Sequence, residues 1–373
     1  MEINTGVEVQ TPYEKLVDTL EYQKGLKNDW VVPAGHIHYD PLDGLLHMAT
    51  EAEDYKYHIT ESAHQQLAAK LEIPQAYYRR MRSEYPNLLA SNINGWLSKK
   101  EQTKYLLRAF HYSEEGVQNI CRAILSDRYS ILDNRDVLVT ALQAIKETGI
   151  HVEIVKAELT EKRMYLHIIA PEIHIQAKEL LEGYMEDKQA NVGKGLISGV
   201  VISNSETGFG RFEISGRAMM VVCKNGLVDR NATIRKTHLG AKLNEGYVDW
   251  SEETIQKNYA LILSQTKDAV KRYLSEEYLG QLTTKLLKYK ETRIEHPQSV
   301  IKVVADELLI PEHNRESILR HFYRDGDESS FGMMNAFTKE AQKMDADLQH
   351  DVEANAFEMV SSFHRFDKPN SKN

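Results

Sequence analysis

At Trp250 the hydrophobic pattern of this 373-residue chain changes period. Upstream lie short strand-like runs at 105–110, 120–125, 165–169, 196–203 and 209–214, each bounded by turn residues. Downstream, apolar residues recur every three to four positions, beginning with Ile255, Tyr259, Ile262 and Leu263 behind Ser251 and the acidic first turn Glu252-Glu253. A two-residue period suits a half-buried strand and a 3.6-residue period suits an amphipathic helix, and neither pattern sits well in the other structure. The expectation is an α+β fold: an antiparallel sheet flanked by helices, followed by an all-helical C-terminal part.

Local signals place the elements. A short helix is expected at 13–20, and strands at 30–32 and 45–48 across the turn-rich 39–44. Thr60 reads as an N-cap for a helix carrying Leu67 and Leu71. Pro74 opens a helix over 75–84 that Pro86 closes, and a third short helix runs through 88–97. Asp133 or Asn134 caps a helix with Val137, Leu138, Ala141, Leu142 and Ile145 on one stripe, stopped by Gly149. Hairpins are expected around Thr160-Glu-Lys-Arg163 and across Asn204-Ser-Glu-Thr-Gly208. Residues 172–194 read as a loop excursion, and 218–223 as strand or helix. Helices follow near 276–290, 298–309, 312–323 and 331–363. The resulting division is an N-terminal extension with short strands (1–55), an α+β core (56–245), a helical domain (250–366) and a disordered tail (367–373).

Hydrophobic content of 42% and charged content of 27% are those of a soluble globular protein. No run of about 18 apolar residues spans a membrane. The N-terminus lacks the basic and apolar regions of a signal peptide. Cys121 and Cys223 sit far apart inside apolar runs and read as buried thiols in a reducing cytoplasm. A net charge of −9 argues against non-specific coating of duplex DNA. The charge is uneven: residues 194–242 carry +5, between a preceding segment at −8 and a following one at −6. This is either ordinary patchiness or a polyanion-binding strip on an acidic body.

Chemical signatures are sparse. His36-Ile-His38-Tyr-Asp40 has metal-ligand spacing for an extended segment, but Pro41 stands where a binuclear hydrolase would place another His, so a polar turn is the expectation. Gly208-Phe-Gly210 reads as a hairpin turn rather than a dinucleotide fingerprint. The common nucleotide-hydrolase, zinc-protease and serine-hydrolase motifs are absent, and neither a catalytic residue, a metal nor a cofactor is assigned. Asp127-Arg128-Tyr129 reads equally as an ion pair at a strand end and as a phosphate contact. Tyr77, Tyr78, Arg79, Arg80 and Arg82 read as a core face beside a solvated one, though such a mixture also stacks bases.

Six segments in order resemble the domain-of-unknown-function 932 family of phage- and plasmid-borne proteins. They are Thr60-Glu-Ser-Ala-His-Gln-Gln-Leu67, Ile73-Pro-Gln-Ala-Tyr-Tyr78, Arg122-Ala-Ile-Leu-Ser-Asp-Arg-Tyr129 with Leu132-Asp-Asn134, Asn204-Ser-Glu-Thr-Gly208, Cys223-Lys-Asn-Gly226 and Arg235-Lys-Thr-His-Leu-Gly240. The segment Phe331-Gly-Met-Met-Asn-Ala-Phe-Thr338 is similar to that family's C-terminal signature but lacks its tryptophan. The resemblance implies a mobile element inside a bacterium. The strand and helix order is also similar to Rad52-type single-strand annealing proteins, which implies a homo-oligomer.

The expected function is single-stranded DNA (or RNA) binding in recombination, replication or repair, without enzymatic activity. Phosphates would meet Arg211, Arg217, Lys224, Arg230, Arg235 and Lys236. Arg122, Arg128 and Tyr129 form a second group, and Phe209 stacks a base. The alternatives are an interaction protein that binds a host factor through its acidic helical part, and a metal-dependent enzyme using 36–40.

Overall fold

Lys27 begins the first strand directly at the end of the first helix, so α1 (Pro12–Leu26) runs without a loop into β1 (Lys27–Pro33). The structure, a computed structural model, describes residues 12–50, 53–113, 118–182, 184, 195–220, 226–236, 246–247 and 251–369.

Two sheets organise the chain. The first also contains β2 (Ile37–Tyr39), β3 (Leu46–Ala49), β4 (Asp54–Ile59), β5 (Lys104–Phe110), β6 (Asn119–Ser126) and β12 (Gly246–Tyr247), in the order β12-β1-β5-β6-β4-β3-β2. Its pairs are antiparallel except β4 with β6, where Tyr57 lies opposite Asn119 and Ile59 opposite Cys121. A parallel pair needs a long crossover. Here it is supplied by α2 (Glu61–Lys70), α3 (Gln75–Glu84), α4 (Pro86–Lys99) and β5. The Thr60 side chain accepts from Ala63 N and caps α2 as expected. α3 ends at Glu84 ahead of Pro86 as expected, with Tyr85 held out of helical geometry, and Pro86 also opens α4, where its missing N–H costs nothing. Leu67, Tyr78, Leu89 and Ile93 from these helices pack on Val32, Met48, Leu107 and Ile124 of the sheet.

The second sheet runs β11-β10-β9-β8-β7, from β7 (Glu153–Leu159), β8 (Met164–Gln176), β9 (Gly195–Asn204), β10 (Phe212–Met220) and β11 (Gly226–Lys236). β8 extends into the region expected to be loop, because residues 174–176 pair with 195–197 of β9. α5 (Asn134–Thr148) has the expected apolar stripe and ends at Gly149, whose φ of 75° is left-handed.

The C-terminal part is all helical: α6 (Glu252–Tyr273), α7 (Glu276–Lys290), α8 (Pro297–Glu307), α9 (Glu312–Asp325), α10 (Ser330–Ala341), α11 (Ala346–Met359) and α12 (Phe363–Phe366). Expected as one helix, 331–363 is broken where Asp345 caps α11 by accepting from Leu348 N. These helices do not form a core of their own. Ile262, Val270, Leu279 and Phe357 join Leu166, Ile168, Val200, Ile202 and Ile214 of the second sheet in one apolar cluster. Each such burial contributes about 1.5–3 kcal/mol. α11 covers the sheet's opposite face, where Ala354 meets Val201 and Val228. The division expected near 245 is therefore crossed by shared packing, and that near 55 by the pairing of β1 with β5 and of β3 with β4. Residues 367 and 368 are held as well, since Asp367 accepts from Glu295 N at 2.9 Å and Lys368 O from Ser299 Oγ at 2.7 Å. Among the described residues no helix is long and apolar enough to cross a membrane.

Candidate nucleic-acid interface

The loop between β9 and β10 carries Glu206, which is 2% exposed. A buried carboxylate stays charged only if it is paired and hydrogen-bonded. Glu206 Oε1 accepts from Lys27 Nζ at 2.7 Å and from Asn134 N at 2.6 Å, and Oε2 accepts from Arg122 Nη1 at 2.8 Å. Burial pushes its pKa up, but Lys27, Arg122 and Arg108 outweigh that and hold it well below the usual carboxylate range.

Arg108 is fully enclosed at the centre of this node. It clasps Asp29 (Nε–Oδ1 3.1 Å, Nη2–Oδ2 3.0 Å), donates to Asp133 Oδ1 at 2.8 Å, and donates to the Glu206 carbonyl at 3.0 Å. Three cations, Lys27, Arg108 and Arg122, thus balance Asp29, Asp133 and Glu206. Neutral hydrogen bonds complete the join. Gln66 Nε2 donates to Thr207 O at 2.5 Å while its Oε1 accepts from Ile124 N at 2.9 Å. Tyr129 Oη donates to Ser205 O at 2.7 Å, and Asn204 Nδ2 donates to Asn134 Oδ1 at 2.8 Å. The segments 60–67, 122–134 and 204–208, separate in sequence, therefore meet at one place. They fasten the first sheet to the second.

Beside the node lies a cavity of about 710 Å³ between α1, β6, β7 and the β9–β10 loop. Arg122 lines it and is 8% exposed. Its guanidinium carbon stacks 4.0 Å from the centre of the Phe110 ring. Its Nε and Nη2 are buried without a hydrogen-bond partner in the protein. A buried donor left unmet costs about 1–3 kcal/mol. Lys15, Lys162 and Arg163 also line the cavity, against Glu161 and Glu206.

The ten residues expected to bind nucleic acid fall in different places. Arg122 is at the cavity. Arg128 is exposed near the end of β6, and Arg211 is exposed 3.8 Å from Glu213. Phe209 is half-buried, with Lys162 Nζ 5.5 Å from its ring centre. Two assignments are corrected. Tyr129 spends its hydroxyl inside the node, and burial raises its pKa. Arg217 is 4% exposed beneath α11, where burial lowers its pKa against the opposing pull of Glu353; a phosphate cannot reach it. Lys224 lies outside the described residues. The backbones of Arg230, Arg235 and Lys236 belong to β11, with Arg235 opposite Glu213, while their side chains lie outside the described residues. Lys15, Lys27, Arg108, Lys162 and Arg163 were not singled out from the sequence. The Thr160–Arg163 turn was visible there, but its charges gave no sign of facing Phe209.

Of the other sequence candidates, Tyr78 is a core residue sharing a 2.8 Å hydrogen bond with His64, while Arg80 and Arg82 pair with Glu84 and Glu61. The 36–40 segment does not close on a metal as a unit. Asp40 instead groups with Asp43 and His47, and Lys56 lies 3.5 Å from Asp43. The expected buried state holds for Cys121; Cys223 lies outside the described residues.

No family model, curated protein or solved structure matches the chain.

Proposed function

We propose that the protein binds single-stranded nucleic acid, in the setting of recombination, replication or repair on a mobile element. The observation that carries this reading is the loop from Ser205 to Arg211. It holds Phe209 half-exposed beside the Lys162 ammonium, with Arg211 in solvent and Arg163 donating to the Phe209 carbonyl at 2.8 Å. A fixed aromatic face bordered by cations stacks a base while neutralising its phosphates. A cytoplasmic location and a homo-oligomeric assembly belong to the same proposal.

The test is a gel-shift series with single-stranded and duplex DNA at about 50 and 200 mM salt, the range over which phosphate contacts weaken binding. Single strands are expected to bind better and to lose affinity with salt. The double variant Lys162→Ala, Arg211→Ala should flatten the salt slope by about 1.4, at roughly 0.7 per lost contact. An absence of binding at the lower salt would overturn the reading, as would an unchanged slope in the variant.

A further inference from the structure

Gly95 sits in the interior of α4, where glycine is among the least favourable residues. The packing does not require it. Beyond the backbone of its own helix and its chain neighbours, a Cβ at this position would meet no heavy atom within 4 Å. What the missing side chain leaves is a groove of about 360 Å³ on the outer side of α4, lined by Ser91, Asn92, Gly95, Trp96 and Lys99. These positions recur at three and four residues, so they share one face. Leu89, Ala90, Ile93 and Leu97 bury the opposite face against the first sheet.

Trp96 is 40% exposed at this groove, and Lys99 holds its Nζ 5.1 Å from the centre of the Trp96 ring. No carboxylate lines the groove, and Lys99 pairs with none among the described residues. Asn92 Nδ2 donates to Leu88 O at 2.9 Å, which leaves its Oδ1 as an acceptor without a donor among the described residues.

These features select the occupant. An apolar element of another protein would cover Trp96 but would bury the Lys99 charge without a counter-ion. A bare anion would meet Lys99 and leave the indole in water. A nucleotide supplies both a flat ring for the indole and a phosphate for the ammonium, and the groove has room for one base.

We propose that the α4 groove is a second contact for single-stranded nucleic acid, with one base stacked on Trp96 beside Gly95 and a phosphate on Lys99. The identity of the ligand rests on the nucleic-acid reading above; the site is separate from the Phe209 loop.

The test is titration of the full chain with a fluorescein-labelled oligothymidylate, read by anisotropy, and with the unlabelled strand, read by tryptophan emission. Stacking is expected to quench the wild-type emission, and Trp96→Phe should lack that component. Gly95→Leu fills the groove with a better helix former, so it should unfold no earlier than the wild type yet bind about 10-fold more weakly, as for one lost base–aromatic contact. Lys99→Gln should lower the salt slope by about 0.7, for one lost phosphate contact. Unchanged strand affinity in a folded Gly95→Leu protein would overturn the proposal, and so would an unquenched Trp96 component at saturation. Either result, with the slope change of Lys162→Ala, Arg211→Ala still present, would leave the loop reading standing. Weakened binding in Gly95→Leu with no slope change in that double variant would do the reverse. A changed assembly state in Gly95→Leu with unchanged strand affinity would assign the groove to a second copy of this chain and also overturn the proposal.

Discussion

Glu206 and Arg122 are 84 residues apart in sequence and meet at 2.8 Å. Glu206 belongs to the loop after the second sheet's β9, and Arg122 to β6 of the first sheet. The pair therefore joins the two sheets. Lys27 shares the same carboxylate, so the end of α1 is tied in as well.

Replacing Glu206 with Gln leaves the buried Arg122 without its counter-charge and leaves Lys27 with Asp133 alone, at 3.1 Å. Removing one partner of such a pair typically costs about 3–5 kcal/mol. Urea unfolding of Glu206→Gln should show a loss in that range. A loss below about 1 kcal/mol would mean that the node is solvated and that its charges act separately.

Arg211 and Arg217 separate two roles that look alike in sequence. Arg211→Ala should change stability by no more than about 0.5 kcal/mol, as expected for an exposed charge. Arg217→Met should destabilise by several times that, because it leaves the buried Glu353 without a nearby cation. Adding Glu353→Gln should restore much of the loss. A double-mutant cycle with no coupling between 217 and 353 would contradict the placement of Arg217 under α11.

Cys121 is enclosed, and burial pushes its thiol up to about 12. Thiolate is the reactive form, so the native protein should resist thiol reagents at about pH 8. In a Cys223→Ser background, labelling of Cys121 should wait for denaturant. Rapid labelling of the folded protein would show that β6 opens locally.

Much of the local structure was legible because its causes are local. Thr60 and Ser251 cap helices through their own side chains, and Gly149 ends α5 because its backbone conformation needs no side chain. The two hairpins were visible from their turns. What failed depended on distant partners. Arg217 alternates with core residues as a solvent-facing strand position would, yet α11, more than a hundred residues later, covers that face. Tyr129 beside Arg128 suggested a phosphate contact, whereas its hydroxyl reaches Ser205. Of the residues around the cavity and the Ser205–Arg211 loop, the sequence reading named Arg122, Phe209 and Arg211. Lys15 and Lys162 were not, since an isolated lysine on a weakly patterned helix or in a charged turn carries no mark of what it faces.

Burial pushes the pKa of His64 down to about 4, and the nearby positive charge of Arg82 acts in the same direction. Its ring shares a 2.8 Å hydrogen bond with the Tyr78 hydroxyl in the core under the first sheet. In the unfolded chain the same group titrates near 6.5. Below that pH the unfolded state takes up a proton that the folded state refuses, so stability falls. The loss should begin near pH 6.5, continue to about 4 and then level off, with a total of about 3 kcal/mol at 1.36 kcal/mol per unit. Above pH 6.5 His64 should contribute no pH dependence. His167 and His111 are also depressed, which makes the total acid sensitivity a sum of several groups. The comparison that isolates His64 is with His64→Gln, which cannot titrate. Unfolding free energies of both proteins at about pH 7.5, 6 and 5 should converge as pH falls, because only the wild type loses this term. Parallel curves would mean that His64 is protonated in the folded state and that the core around Tyr78 is open to water.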